Sequence, residues 1–534
     1  MTPTQRHPES GQADPYAAIG AAAPAPASAL RARVLRGVGF VPAFVFLVAI
    51  LLPPLNHDVA AVLDFSRRWL AGERLYVDLV DVNPPLTFIL NLVPAALARW
   101  TPLAPAQAML LCLLGFAALV WRMADGLRRR DAEGPVEAAV TTACLPLLLV
   151  MAGSDFGQRD VLMGMAAIPY CLLAARRIEG PPAPGRLAMA TVAVAALAFA
   201  LKPYFLVVPL AVEALVLLRR GPARALRDPV PWLMAGIWLA YLLAVLAWFP
   251  AYGRQVLPFA WAVYGDIHGP GPWGVLVTDM LGAAAFLLLL ALPLALRRDA
   301  GAFVQAMAVA ACGAFASAWM QHKGWPYHVM PVTILGCGAA AVAAARWADG
   351  ALPEVRARAA APALAAVAAF AVLLYAVRGG EAPWREAAYQ QEPGGQIAAW
   401  LRQNAHGADV LALSPDIYPL QPALTYAEAR QRLHAMSTWP LQGAYRHCPA
   451  GDEPYRPPEE MGRAEALFFR RTADDFAAQP PRVLVVTRDA RIPACGGRFD
   501  LLEYFLGDPA FAHAFRHFHL AAEIDGHRFY LRQY

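Results

Sequence analysis

The chain is built from long apolar stretches separated by short polar segments. Stretches able to cross about 30 Å of hydrocarbon, at roughly 17 to 25 residues each, lie near 38–55, 106–123, 136–152, 160–176, 187–201, 204–218, 231–250, 273–296, 302–320, 329–346 and 359–377. The segment from Pro84 to Trp100 is also apolar and helix-like, and reads as a short, partly buried or re-entrant helix, with a full span as the rival reading. After about Arg378 the pattern becomes that of a soluble domain. Short β-rich runs there cover Val410 to Leu413, Arg482 to Val486 and Arg528 to Leu531, between helix-like stretches. The pattern predicts an α-helical polytopic membrane protein of about 11–13 spans carrying a small α/β C-terminal domain.

Composition agrees with this class. Hydrophobic residues make up 58% and charged residues 16% of the 534-residue chain, and the mean hydropathy is +0.41. That is too apolar for a soluble protein of this size. The formal net charge of +5 does not point to nucleic acid, because the arginines come as short clusters between apolar stretches and form no stripe or tail. Residues 1–30 are rich in Ala, Pro and polar residues and lack the basic-then-apolar design of a signal peptide. They read as a disordered cytoplasmic tail. The multi-span domain then covers 31–378 and the α/β domain 379–534.

The arginine clusters fix an expected orientation. They are Arg31/Arg33/Arg36, Arg122/Arg128/Arg129/Arg130, Arg176/Arg177, Arg219/Arg220/Arg224/Arg227, Arg297/Arg298 and Arg346/Arg356/Arg358. If the first span runs outward and later spans alternate, every cluster falls on the cytoplasmic side, as positive-inside topology requires. The α/β domain then lies outside. High Ala, Arg, Gly and Pro with little Lys fits a GC-rich bacterium, which makes the inner membrane the expected location and the periplasm the outer compartment. Five cysteines, Cys112, Cys144, Cys171, Cys312 and Cys337, lie in spans, whereas Cys448 and Cys495 lie in the outer domain. An oxidising compartment permits a disulfide between those two, with two unpaired thiols as the alternative.

The outer loops gather the polar chemistry. The first, 56–84, begins with Asn56-His57-Asp58 at the end of the first span, continues as an amphipathic stretch from Val59 to Leu70, and ends in Asp81-Val82-Asn83-Pro84-Pro85-Leu86. The others carry Gln158-Arg159-Asp160, Lys202-Pro203-Tyr204, Asp266-Ile267-His268, and Lys323 through Tyr327 and His328. Such groups are costly beside a bilayer and invite a functional reading. The plainer alternative is that they cap helix ends and sit in the interfacial belt. Arg159, Lys202 and Lys323 favour function, because they lie on the side that topology depletes of cations. An anion compensates them in this reading, and a lipid phosphate or diphosphate is the obvious candidate.

These residues resemble the GT-C superfamily, the multi-span glycosyltransferases that include protein O-mannosyltransferases and the aminoarabinose transferases of lipid A. The resemblance rests on an acid at the end of the first span, Asp58, followed by an amphipathic stretch and the helix start Asn83-Pro84-Pro85-Leu86. Gly157-Gln158-Arg159-Asp160 and Lys323-Gly324-Trp325-Pro326-Tyr327-His328 are similar to motifs of bacterial members. Many aminoarabinose-transferase-like members carry Lys directly before Pro-Pro-Leu, where this chain has Asn83. Phosphate contact would then pass to Lys202, Arg159 or Lys323.

The resemblance implies transfer of a sugar from a polyprenyl-phosphate donor to an extracytoplasmic lipid, polysaccharide or protein acceptor. Asp58 would act as general base in an inverting displacement, and Asp81 or Asp160 would orient acceptor or sugar. His57, Asn83, Gln158, Arg159, Lys202, Asp266, His268, Lys323, Tyr327 and His328 are the expected substrate contacts. A divalent metal stays open: Asp58, Asp81, Asp160, His268 and His328 suit as ligands, yet no recognised ligand spacing occurs. The competing reading is a multi-span lipid or glycolipid transporter or flippase. It predicts mid-membrane ionisable groups and often a duplicated half. The sequence shows no duplication, and only Glu213 and Asp279 are obvious acids inside spans.

Overall fold

A computed structural model describes residues 26–263, 271–297, 299–378, 385–449 and 453–533. Asp266 and His268 lie outside the described residues, as does most of the N-terminal tail. The first sixteen helices are α1 (Pro26–Leu51), α2 (His57–Leu70), α3 (Pro85–Trp100), α4 (Pro105–Leu127), α5 (Pro135–Val150), α6 (Arg159–Glu179), α7 (Gly185–Phe199), α8 (Val207–Arg220), α9 (Pro222–Ala225), α10 (Pro229–Trp248), α11 (Leu257–Val263), α12 (Gly271–Gly274), α13 (Asp279–Ala295), α14 (Gly301–Gln321), α15 (Pro326–Ala351) and α16 (Glu354–Ala376). Many start on proline, which has no N–H to lose and whose fixed φ suits the first turn.

Seven of these, α1, α4, α6, α10, α14, α15 and α16, are long and apolar enough to cross a membrane. The pair Gly271–Val277 and Leu281–Ala295 is bent by 65° and makes an eighth if taken as one span. The remaining apolar stretches form shorter helices, α5 with 16 residues, α7 with 15 and α8 with 14. At 1.5 Å per residue these reach only about 21–24 Å, so sequence length alone overstates the number of full-length spans. Helix α3, from the ambiguous Pro84 to Trp100 segment, has 16 residues and packs between α2 and α4.

Helices α6, α14 and α15 form the buried centre, whereas α10 turns nearly all of its apolar surface outward, as a lipid-facing helix does. Small residues let the central backbones meet. A Cβ on Gly313 would stand 2.8 Å from Cα of Val208 in α8, and one on Gly164 would stand 3.1 Å from Cα of Pro331 in α15.

The C-terminal region is a five-stranded sheet of β1 (Asp409–Leu413), β2 (Arg430–Gln431), β3 (Val483–Thr487), β4 (Phe518–Ile524) and β5 (His527–Arg532), ordered β2-β1-β3-β5-β4. Strand β1 pairs in parallel with β2 and β3, and β5 pairs antiparallel with β3 and β4. Both faces are covered, so β1 and β3 are continuously apolar. Val410, Ala412, Val483 and Val485 face α17 (Pro393–Ala405) and α18 (Leu420–Tyr426). Leu411, Leu413, Leu484 and Val486 face the side that holds α19 (Trp439–Ala444), α20 (Arg463–Ala478), α21 (Leu501–Leu506) and α22 (Pro509–Phe515). Asp525 and Gly526, both at positive φ, make the two-residue turn from β4 to β5. Cys448 and Cys495 are joined by a disulfide on the α20 side.

This sheet domain holds the first loop in place. Arg471 donates to the carbonyls of Val77 and Asp78 at 2.6 and 2.7 Å, and Val80 N donates to the His434 carbonyl at 2.7 Å. From the other side, Arg68 donates to the Leu433 carbonyl at 2.7 Å and Leu55 N donates to the Tyr426 hydroxyl at 3.0 Å.

Candidate active site

The site grows from three helix starts. Asn56 caps α2, its side-chain oxygen accepting from Asp58 N at 3.0 Å, which places Asp58 in the first turn. Gly157, at φ +97°, turns the chain from α5 into α6, and a Cβ there would come 2.7 Å from Leu113. That turn presents Gln158 and Arg159 to Asp58. Gln158 Nε2 donates to both Asn56 Oδ1 at 2.9 Å and Asp58 Oδ2 at 3.0 Å. Arg159 Nη2 lies 3.7 Å from Asp58 Oδ2, and His57 Nε2 lies 3.6 Å from Asp58 Oδ1.

Burial opposes charge on Asp58, but His57, Arg159, the Gln158 hydrogen bond and Lys202 outweigh it and hold the carboxyl below its usual range. Arg159 also donates to Asn83 Oδ1. Asn83 in turn donates to Asp81 Oδ1 through its backbone N at 2.8 Å and its side chain at 2.6 Å. Burial raises the Asp81 carboxyl to about 6, against the pull of the Asn83 hydrogen bonds and Arg159. The loop before α3 is thus tied to the start of α6 through one arginine.

A second group stands beside this one. Lys202 Nζ is 2.7 Å from Asp160 Oδ2 and donates to Gln321 Oε1 at 3.0 Å, with the Tyr327 ring centroid 5.4 Å away. Asp160 is therefore the partner of Lys202, not a free carboxylate. Lys323 is buried in the turn between α14 and α15. His328 is buried against Trp325 and Tyr327, and among the described residues neither of its ring nitrogens has a hydrogen-bond partner.

Asp58, Gln158 and Arg159 form the polar wall of a cleft whose other walls include Val62, Leu90 and Leu162. Thr87 and Asn91, one turn apart on α3, also line it. The buried Thr87 Oγ1, Asn91 Oδ1 and Gln158 Oε1 have no hydrogen-bond partner among the described residues, and such atoms in a cleft wall call for a ligand or water. Sequence reasoning missed Thr87 and Asn91. Their four-residue spacing after Pro-Pro-Leu was the available signal, hidden in an otherwise apolar helix. Among the described residues no group of three or more His, Cys, Asp or Glu could hold a metal ion.

No family model matches the sequence, and no curated protein is detectably similar to it. Solved structures are similar in shape. The apo structure of ArnT from Cupriavidus metallidurans superposes with a TM-score of 0.55 at 13% identity, covering 94% of this chain and 98% of that one. The chain has the fold of ArnT. The structure of the same ArnT bound to undecaprenyl phosphate gives a TM-score of 0.55 at 14% identity, over 94% of this chain and 97% of ArnT. Because both chains are covered almost end to end, the match with ArnT includes the helical bundle and the sheet domain together. The expected polytopic helical fold with a small C-terminal sheet is therefore the observed one.

Proposed function

We propose that the protein is a membrane glycosyltransferase that moves a sugar from a polyprenyl-phosphate donor to an extracytoplasmic acceptor, a lipid, a polysaccharide or a protein. The observation that carries this reading is the pairing of Asp58 with Arg159 at the wall of a half-apolar cleft. The cleft suits an amphiphile: a lipid tail against Val62, Leu90 and Leu162, and a phosphate beside the guanidinium. ArnT, whose fold the chain has, binds undecaprenyl phosphate, which is consistent with a donor of this class. Arg177 is held by Glu213 and Asp228 at 2.6 and 2.8 Å, so Glu213 is spoken for by a structural ion pair, which weakens the transporter reading.

An acceptor hydroxyl placed against Asp58 gives up its proton to the carboxylate as its oxygen attacks the anomeric carbon. The bond from that carbon to the phosphate oxygen breaks, and the electron pair leaves with the polyprenyl phosphate. Displacement from the opposite face inverts the anomeric centre. Arg159 stabilises the charge gathering on the departing phosphate, which in such sites is the largest catalytic contribution. Asn83 and Asp81 set the position of Arg159, while Lys202, Lys323 and His328 complete the polar chamber. The outer face in this reading is the periplasmic one, with the N-terminus in the cytoplasm and the sheet domain outside.

The test is transfer of labelled sugar from a series of polyprenyl-phosphate donors in membranes carrying wild type or Arg159→Ala. Wild type should release one polyprenyl phosphate per sugar transferred, and Arg159→Ala should lose about 100- to 1,000-fold in turnover. Absence of both transfer and polyprenyl-phosphate binding in the wild type would overturn the reading.

A further inference from the structure

The hydrogen bonds around Asp58 fix which end of each amide is left for the cleft. The backbone N of Asp58 can only donate, so the atom of Asn56 that meets it at 3.0 Å is Oδ1, and Asn56 Nδ2 turns to Asp155 Oδ1 at 3.2 Å. Gln158 must then present its Nε2 to Asn56 Oδ1 and to the Asp58 carboxylate, at 2.9 and 3.0 Å. Its Oε1 is the end left over. On α3 the Thr87 carbonyl can only accept, so Asn91 directs Nδ2 to it at 2.8 Å, and its Oδ1 is left over in the same way.

Gln158 Oε1, Asn91 Oδ1 and Thr87 Oγ1 are thus three buried polar atoms on residues that line one cleft, without a hydrogen-bond partner among the described residues. Gln158 is 1% and Thr87 2% exposed. The two amide oxygens can only accept, so they call for a ligand that brings hydrogen-bond donors. A polyprenyl tail brings none, and a hydrocarbon laid over these atoms would leave them desolvated. The ionised phosphate of such a carrier brings none either. Of the parts of the proposed donor, only the sugar carries hydroxyls.

We infer that Thr87, Asn91 and Gln158 read the hydroxyls of the transferred sugar, which makes them the specificity-determining residues of the donor site and restricts its substrates to sugars whose ring hydroxyls are present and unmodified. The inference rests on the proposed transferase reading and goes further by assigning the choice of sugar to named atoms. A site built to hydrogen-bond a hydroxyl rejects the analogue that lacks it, because its own buried acceptors are then left unpaired. The amide orientations make that penalty unavoidable. Neither Gln158 nor Asn91 can turn its nitrogen to the ligand without breaking the bonds that hold Asp58 or the α3 backbone.

The experiment measures binding of undecaprenyl phosphate, and of undecaprenyl-phosphate-linked glucose, mannose, galactose and xylose with their monodeoxy counterparts, to the full-length protein in detergent with no acceptor present. At least one intact sugar should bind more tightly than the bare carrier, and removal of a single hydroxyl from it should weaken binding about 10-fold or more. In the Thr87→Val/Asn91→Leu double variant the intact and deoxy forms should bind nearly equally, while the bare carrier binds as in wild type. A general packing defect would instead weaken all three alike. Should the double variant lose the bare carrier as well, Thr87→Val alone, which exchanges a hydroxyl for a methyl, carries the same expectation. Equal binding of the bare carrier and every sugar-linked form by wild type, or an undiminished preference for the intact sugar in the variants, would each overturn the inference. Wild type that shows this preference yet transfers sugar to no acceptor counts against the transferase reading alone, since reading a sugar needs no transfer.

Discussion

At Asp58 and Asp81 two carboxylates of one loop are pushed in opposite directions by their surroundings. Asp58 faces His57 and Arg159 and stays charged, whereas at Asp81 burial outweighs the Asn83 hydrogen bonds and the charge of Arg159 and raises the carboxyl to about 6. Lowering the pH through about 6 protonates Asp81 first and removes the anion on which Asn83 and Arg159 are aligned. The kcat/KM profile of wild type should therefore fall as pH drops through about 6, and Asp81→Asn should lack that limb. A limb of the same position in Asp81→Asn would assign it to another group. Lys202 and Asp160 make a different kind of pair, buried and in direct contact. Removing one member leaves the other buried and charged without its contact partner, at a cost of about 3–5 kcal/mol. Lys202→Met should lower the thermal unfolding midpoint clearly, and Lys202→Met with Asp160→Leu should recover much of the loss; equal midpoints for the single and double variants would contradict this account.

Among the elements, α2 links the molecule's parts: its first turn holds Asp58, its last turn holds Arg67 and Arg68, and Arg68 reaches across to the sheet domain. Its position depends on the loop that follows, which Arg471 grips through two backbone carbonyls. Arg471→Ala removes two charge-assisted hydrogen bonds, and limited proteolysis should then cut within 71–84 faster than in wild type, with turnover reduced while the sheet domain stays folded. Unchanged cleavage would show that the loop holds itself. The contact of α14 with α8 is set by a missing side chain. Gly313→Leu would drive a branched chain into the Val208 backbone, and overpacking of this kind costs about 1–3 kcal/mol or more. Its yield of folded protein in detergent should fall well below that of Gly282→Leu, where a Cβ meets open space.

Across the whole molecule, the sequence made some features readable and hid others for physical reasons. Strands β1 and β3 stood out because their runs are strongly apolar, and β5 because Phe529-Tyr530-Leu531 favour a strand. Strand β2 has two residues, and β4 turns exposed residues outward along most of its length, so neither carried a signal. The apolar stretches marked every long helix of the bundle but could not separate a span of 21 residues from helices of 14 to 16 packed among them, since composition is the same in both. Asp58, Gln158 and Arg159 were visible as polar residues at helix ends. That Asp160 would be consumed by Lys202, and that Asn83 would join Asp81 to Arg159, depended on contacts between distant segments.

The central claim is that Asp58 deprotonates the acceptor beside a phosphate held by Arg159. Its most direct test is single-turnover transfer of labelled sugar from a polyprenyl-phosphate donor by purified wild type and Asp58→Asn, with donor affinity measured on the same samples. The account predicts nearly equal donor affinity and a loss of about 100- to 10,000-fold in the transfer step for Asp58→Asn. Equal transfer rates in the two proteins would remove Asp58 from the chemistry and contradict the account.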